Sequence, residues 1–110
     1  MNTAAAKPAT SNAGDASPAF AIGHIAVKDE AKWAEYRSQV PATIAPWGGE
    51  LVFRGKLLAV LAGEHRHTDT VVLKFPNAAA LAAWHGSAAY QALVPLREQA
   101  ADVVLLGFET

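Results

Sequence analysis

No cysteine occurs among the 110 residues. That excludes a disulfide framework and any thiolate chemistry. Charge of one sign is also lacking: 9 Lys and Arg stand against 10 Asp and Glu, for a net charge of −1. A nucleic-acid-binding face needs a basic patch, and a lipid-binding segment needs clustered Lys or Arg. Neither partner is expected. No apolar run approaches the ~20 residues a membrane helix requires. The GxSxG, P-loop, GxGxxG and HExxH motifs are all absent, and with them the reaction classes they carry.

What is present is hydrophobic but small. Hydrophobic residues make up 52%, and 25 of them are alanines. The remaining Leu and Val, with four Phe and three Trp, suffice for one modest core. The length predicts one domain. A domain of this size buries roughly two-thirds of its unfolded surface, which favours association with a second copy.

Residues 1–18 hold Ala, Ser, Thr, Pro and Gly but no Leu, Ile, Val or Phe. Such a stretch buries too little to offset chain entropy, so it reads as a disordered tail before a domain over 19–110. It also lacks the apolar centre of about 7–15 residues that a secretory signal needs. A cytoplasmic location is the expectation.

The most informative stretch is Thr70–Arg97. Thr70–Phe75 reads as a buried strand, with Val71, Leu73 and Phe75 on one face. Asn77 caps a helix carrying Leu81 and Trp84. Gly86 breaks it, and Ser87 caps a second helix in which Tyr90, Leu93, Val94 and Arg97 share a side. Pro95 implies a restart. Earlier, Phe20–Val27 reads as a strand with Phe20, Ile22, His24 and Ala26 on one face. Asp29 caps a helix whose Trp33, Tyr36, Val40 and Ile44 recur at helical spacing. Pro41 within it predicts a kink or restart near Val40, and Gly48-Gly49 ends it. Glu50–Arg54 and Leu57–Ala62 read as two short strands turned at Gly55. Gly63–Asp69 reads as an exposed polar loop, and Asp102–Phe108 as the closing strand.

This order is βαββαβ, a ferredoxin-like α+β domain with an antiparallel sheet and helices on one face. The other face carries several of Ile22, Val52, Val72, Val104 and Leu106. An apolar sheet face of that width is improbable in water, and the simplest cover is the same face of a second subunit.

The chain resembles a known family. Its marks are Trp33-x-x-Tyr36-Arg37, Val40-Pro41-x-Thr43-Ile44, Trp47-Gly48-Gly49, Arg54-Gly55, Phe75-Pro76, Ser87-x-x-Tyr90-Gln91 and Pro95-Leu96-Arg97. In order and spacing these resemble the domain of unknown function 1330 family, in the dimeric α+β barrel superfamily. The resemblance implies a homodimer whose two sheets form a barrel, with a pocket between sheet and helices. Superfamily relatives include cofactor-free monooxygenases, isomerases and haem enzymes.

Candidate site residues follow. His24, Arg54 and Lys74 are the polar members of apolar strands and are expected to converge on one pocket as an anion clamp with an acid or base. Tyr36, Trp84 and Tyr90 could line an aromatic pocket; the commoner fate of such a stripe is the core. His65-Arg66-His67 has the spacing of some metal sites but no evident third ligand, so neither metal nor cofactor is expected. The leading reading is a homodimer that binds a small anionic or aromatic organic molecule, with or without a cofactor-free reaction. A non-catalytic dimerisation module is the second reading. A haem enzyme using His85 or His24 is the third.

Overall fold

The computed structural model describes residues 17–110, so the expected tail lies almost wholly outside the described residues. Four strands make one antiparallel sheet: β1 (Ala19–Val27), β2 (Glu50–Lys56), β3 (Asp69–Phe75) and β4 (Ala101–Glu109), ordered β2-β3-β1-β4. Helix α1 (Glu30–Ile44) joins β1 to β2. Helices α2 (Ala78–Gly86), α3 (Ala88–Gln91) and α4 (Val94–Ala100) join β3 to β4. This is the ferredoxin-like α+β arrangement expected from the sequence.

Local chemistry starts each main helix. The side chain of Asp29 accepts from the Lys32 N–H, that of Asn77 from Ala80, and that of Ser87 from Tyr90. Each satisfies an amide that the first turn leaves without a partner. Gly48 adopts φ 74°, a left-handed conformation that glycine takes without steric cost. At Gly49, a Cβ would lie 2.7 Å from the Phe75 ring. The pair turns the chain under the core.

The core lies between the sheet and the helices. Trp84, Tyr90 and Phe75 are its largest fully buried side chains, joined by Ala21, Tyr36, Ile44, Leu73 and Leu93. On β1 the buried positions are Ala19, Ala21, Gly23 and Ile25, so the predicted alternation holds. The other face presents Phe20, Ile22, Val72 and Leu106 in adjacent registers. Its members Phe53, Val104, Leu106 and Phe108 are 53%, 39%, 40% and 49% exposed.

Two expectations are corrected. Pro41 does not interrupt α1, which continues to Ile44. Proline removes one backbone donor, but Pro41 is exposed and packing of the same stripe carries the helix through. Leu57–Ala62 is not a strand, and the chain does not turn at Gly55. Instead β2 continues to Lys56 and pairs directly with β3, Gly55 lying opposite Thr70. Beyond it the Leu57 N–H donates to the Thr68 carbonyl at 2.6 Å, and the Thr68 N–H donates to the Ile25 carbonyl at 3.0 Å. Apolar composition favours a strand, but a strand needs a partner, and among the described residues no backbone hydrogen bond joins Leu58–Ala62 to another element. Leu58 and Leu61 stand 98% and 94% exposed in this connection.

Candidate functional site

Small residues on the central strand open a space beneath the helices. Gly23 faces that side without a side chain, and a cavity of about 130 Å³ lies above it. Its lining includes Trp33, Tyr36, Arg37, Val40, Leu51, Arg54, Thr70, Val71, Trp84, Tyr90 and Leu105. Helix α1 supplies the first part of this wall, β2 the edge, and α2 and α3 the closed end.

A bulge in β2 decides which charge reaches the cavity. Leu51 pairs with Leu73, but Phe53 pairs with Val72 and Arg54 with Val71. Strict alternation would put Arg54 on the same face as Val52, and Phe53 with Leu51. The extra residue at Val52 exchanges them, turning Phe53 to the open face and Arg54 to the cavity. Bulges commonly re-aim side chains in this way.

Arg54 and Arg37 both line the cavity and both are exposed, which places them at its rim. Burial, and then the charge of Arg37, hold Arg54 below its ordinary pKa. Neither guanidinium has a carboxylate partner among the described residues. Two like charges held close without a counter-ion favour an incoming anion.

The inner end is aromatic and hydrogen-bonded. Tyr36 Oη and Tyr90 Oη are 2.8 Å apart, and Arg97 Nη1 donates to Tyr90 Oη at 3.0 Å. Burial, then the proximity of Tyr90 and the shared hydrogen bond, raise the Tyr36 pKa far above the usual phenol range, so it stays protonated. Burial is the largest single influence on Arg97 and opposes its charge, but the hydrogen bond to Tyr90, the proximity of Tyr90 and Tyr36 and the hydrogen bond to Glu98 together outweigh it and raise its pKa. Trp33 stacks on Tyr36 at 5.0 Å. Trp84 packs against Tyr90 at 4.4 Å, and its indole N–H donates to Thr43 Oγ1 at 3.0 Å.

Of the expected site residues, Tyr36, Arg54, Trp84 and Tyr90 come together here. His24 does not. It pairs with Thr70 and Val104 on the open face, so the expected convergence of His24 with Arg54 is corrected. Lys74 shares that outer face, opposite Phe20. The period of two that places His24 with Ile22 sets it away from the helices. Two further residues belong to the site beyond those the sequence points to: Arg37, which lines the cavity, and Arg97, which donates to Tyr90. Arg97 carried a usable signal, since it shares a helical side with Tyr90. Arg37 carried none beyond its place next to Tyr36.

His24 has other company. Its ring lies 4.8 Å from His65 and 6.4 Å from His67, and its Nδ1 is 3.1 Å from Thr70 Oγ1. His67, expected in an exposed loop, is buried, with Nε2 3.8 Å from Asp102 Oδ2 and no hydrogen-bond partner. Where the chain returns to the sheet, Arg66 pairs with Asp102 at 2.9 Å and the Thr68 N–H donates to the Ile25 carbonyl at 3.0 Å. Among the described residues, no group of three His, Cys, Asp or Glu is arranged to hold a metal ion.

Partial burial, then His65 and His67, lower the His24 pKa. A lowered base binds protons less well folded than unfolded, so its stabilisation is complete above about pH 6.5 and declines as pH falls through the folded value. Melting temperature is therefore expected to drop on acidification below about pH 6.5, and His24→Gln to flatten that limb. The effect is modest, because His24 sits near solvent where charges are screened. An identical acid limb in the variant would refute the assignment.

Sheet order, antiparallel registers and one helical layer place the chain among ferredoxin-like α+β proteins. The chain belongs to the family described as Domain of unknown function (DUF1330), whose pattern matches residues 18–109. Among solved structures it is similar to the RPA0582 protein of unknown function from Rhodopseudomonas palustris, at 17% identity and TM-score 0.73, covering 86% of this chain and 82% of that one. A dimeric ferredoxin-like protein of unknown function from Thermobifida fusca is 15% identical at TM-score 0.62, with 87% and 93% covered. SnoaB, a cofactor-independent oxygenase from Streptomyces nogalater, is 11% identical at TM-score 0.61, with 86% and 94% covered. No curated protein matches the chain. No helix among the described residues is long and apolar enough to cross a membrane.

Proposed function

We propose that the protein is a homodimer that binds a small organic acid, about one ring in size, in the cavity of each subunit. The observation that carries this reading is the apolar cavity of about 130 Å³ with Arg37 and Arg54 at its rim, neither with a carboxylate partner among the described residues. Its volume is near that of an engineered cavity that takes benzene. Ring-sized apolar surface fills the aromatic interior, and a carboxylate answers the guanidiniums. The open sheet face supports the dimer, since its large apolar side chains need a cover and neighbours of this fold are described as dimeric. That one neighbour is described as a cofactor-independent oxygenase agrees with a site built from side chains alone.

The test is a titration of small aromatic and alicyclic carboxylates. Arg54→Ala is expected to weaken binding roughly 10- to 100-fold, the effect of losing a charge-assisted pair. Its folding should change by no more than about 1 kcal/mol, because Arg54 is exposed and forms no ion pair among the described residues. Unchanged affinity in a variant that loses its dimeric mass would make Arg54 an interface residue and sink the reading.

A further inference from the structure

The two tyrosine hydroxyls at the closed end hold one proton too many. Tyr36 and Tyr90 share a 2.8 Å contact, which uses one of their two protons. Arg97 is a donor only, so its 3.0 Å contact occupies a lone pair of Tyr90. Among the described residues no further acceptor lies within bonding distance of either oxygen. One hydroxyl proton must be satisfied from within the cavity that both residues line.

Burial decides which proton it is. Tyr90 is fully buried and Tyr36 is 8% exposed. If Tyr36 donated to Tyr90, the stranded proton would sit on the fully buried oxygen, which would already accept two bonds. If Tyr90 donates to Tyr36, the links run one way, from guanidinium to Tyr90 to Tyr36, each polarising the next. The free proton then belongs to the more open residue. The second arrangement strands less buried polarity.

We propose that Tyr36 is the specificity-determining hydrogen-bond donor of the cavity, and that the ligand is a ring-sized oxo acid whose carbonyl oxygen accepts from it. The inference rests on the acid-binding reading above. The carboxylate goes to Arg37 and Arg54, which are exposed at the rim, and the carbonyl goes inward. Tyr36 serves as a donor and not as a base, because burial keeps it protonated. A hydroxyl in place of the carbonyl would bring its own proton; the rings packed around the pair, Trp33 and Trp84, offer no acceptor, and the acceptors that line the cavity, Asp69 and Thr70, stand on β3 and not on the helices that carry the two tyrosines.

Calorimetric titration with cyclohexanecarboxylate and 4-oxocyclohexanecarboxylate isolates this carbonyl. The wild-type protein is expected to prefer the oxo acid roughly tenfold, the value of one net hydrogen bond. Tyr36→Phe should bring the ratio of the two affinities to about one, whereas Tyr90→Phe, which leaves the Tyr36 proton in place, should keep it above about threefold. Thermal melts of both variants confirm that folded protein is compared. A preference that survives Tyr36→Phe, or disappears only in Tyr90→Phe, overturns the assignment. Equal wild-type affinity for the two acids overturns it too while leaving the acid-binding reading intact. Failure of both acids to bind overturns the acid-binding reading itself.

Discussion

Trp84→Ala is expected to cost about 3–5 kcal/mol of stability, the range for truncating a buried Trp. Trp84 is 2% exposed and packs against Phe75 at 5.3 Å and Tyr90 at 4.4 Å. It also spans two helices, since its indole N–H donates to Thr43 on α1 at 3.0 Å. Thr43 keeps its own bond to the Val40 carbonyl at 2.7 Å, so the variant strands no hydroxyl proton. The loss is therefore packing, a new void, and one hydrogen bond. Domains hold only about 5–15 kcal/mol in total. A melting temperature lower by on the order of 20 °C should follow, with partial unfolding at ambient temperature for a weak domain. Trp84→Phe keeps a ring in place and should lose far less. A shift of only a few degrees in the alanine variant would show that the centre of the core lies elsewhere.

Leu106→Asp is expected to turn a dimer into a monomer. Leu106 lies opposite Ile22 on the open face and is 40% exposed. In a two-fold symmetric dimer each change occurs twice in the same interface. A buried carboxylate without a partner costs several kcal/mol, so two should weaken association by a thousandfold or more, about 1.4 kcal/mol per tenfold. Light scattering at micromolar concentration should report twice the 11.5 kDa chain mass for the wild type and 11.5 kDa for the variant. A wild-type mass of 11.5 kDa, or an unchanged dimer in the variant, would refute the role of this face. The exposed Leu58 and Leu61 of the β2–β3 connection offer a second place to test, since Leu58→Asp should leave the fold untouched.

The amino-acid sequence by itself determined what depends on neighbours along the chain. Asp29, Asn77 and Ser87 were legible as caps because a side chain and the amide three residues on meet whatever else the chain does. The two faces of β1 and β3 were legible because side chains alternate with period two. Element order, and with it the ferredoxin-like fold, followed from these. The aromatic members of the cavity were legible as apolar stripes, although a stripe does not say whether it fills a core or lines a space.

Only the tertiary structure decided the rest, because it depends on what lies opposite. Leu57–Ala62 has strand composition but no strand beside it. Pro41 should disturb a lone helix, yet packing carries α1 through. His24 faces away from Arg54 because one extra residue in β2 turns Arg54 inward, and a bulge is a mismatch between two strands that neither one records. Tyr36 and Tyr90 stand 54 residues apart in sequence and 2.8 Å apart in space. Their shared hydroxyl contact, with Arg97 behind it, arises where α1 crosses α3 and α4, and no local pattern encodes that crossing.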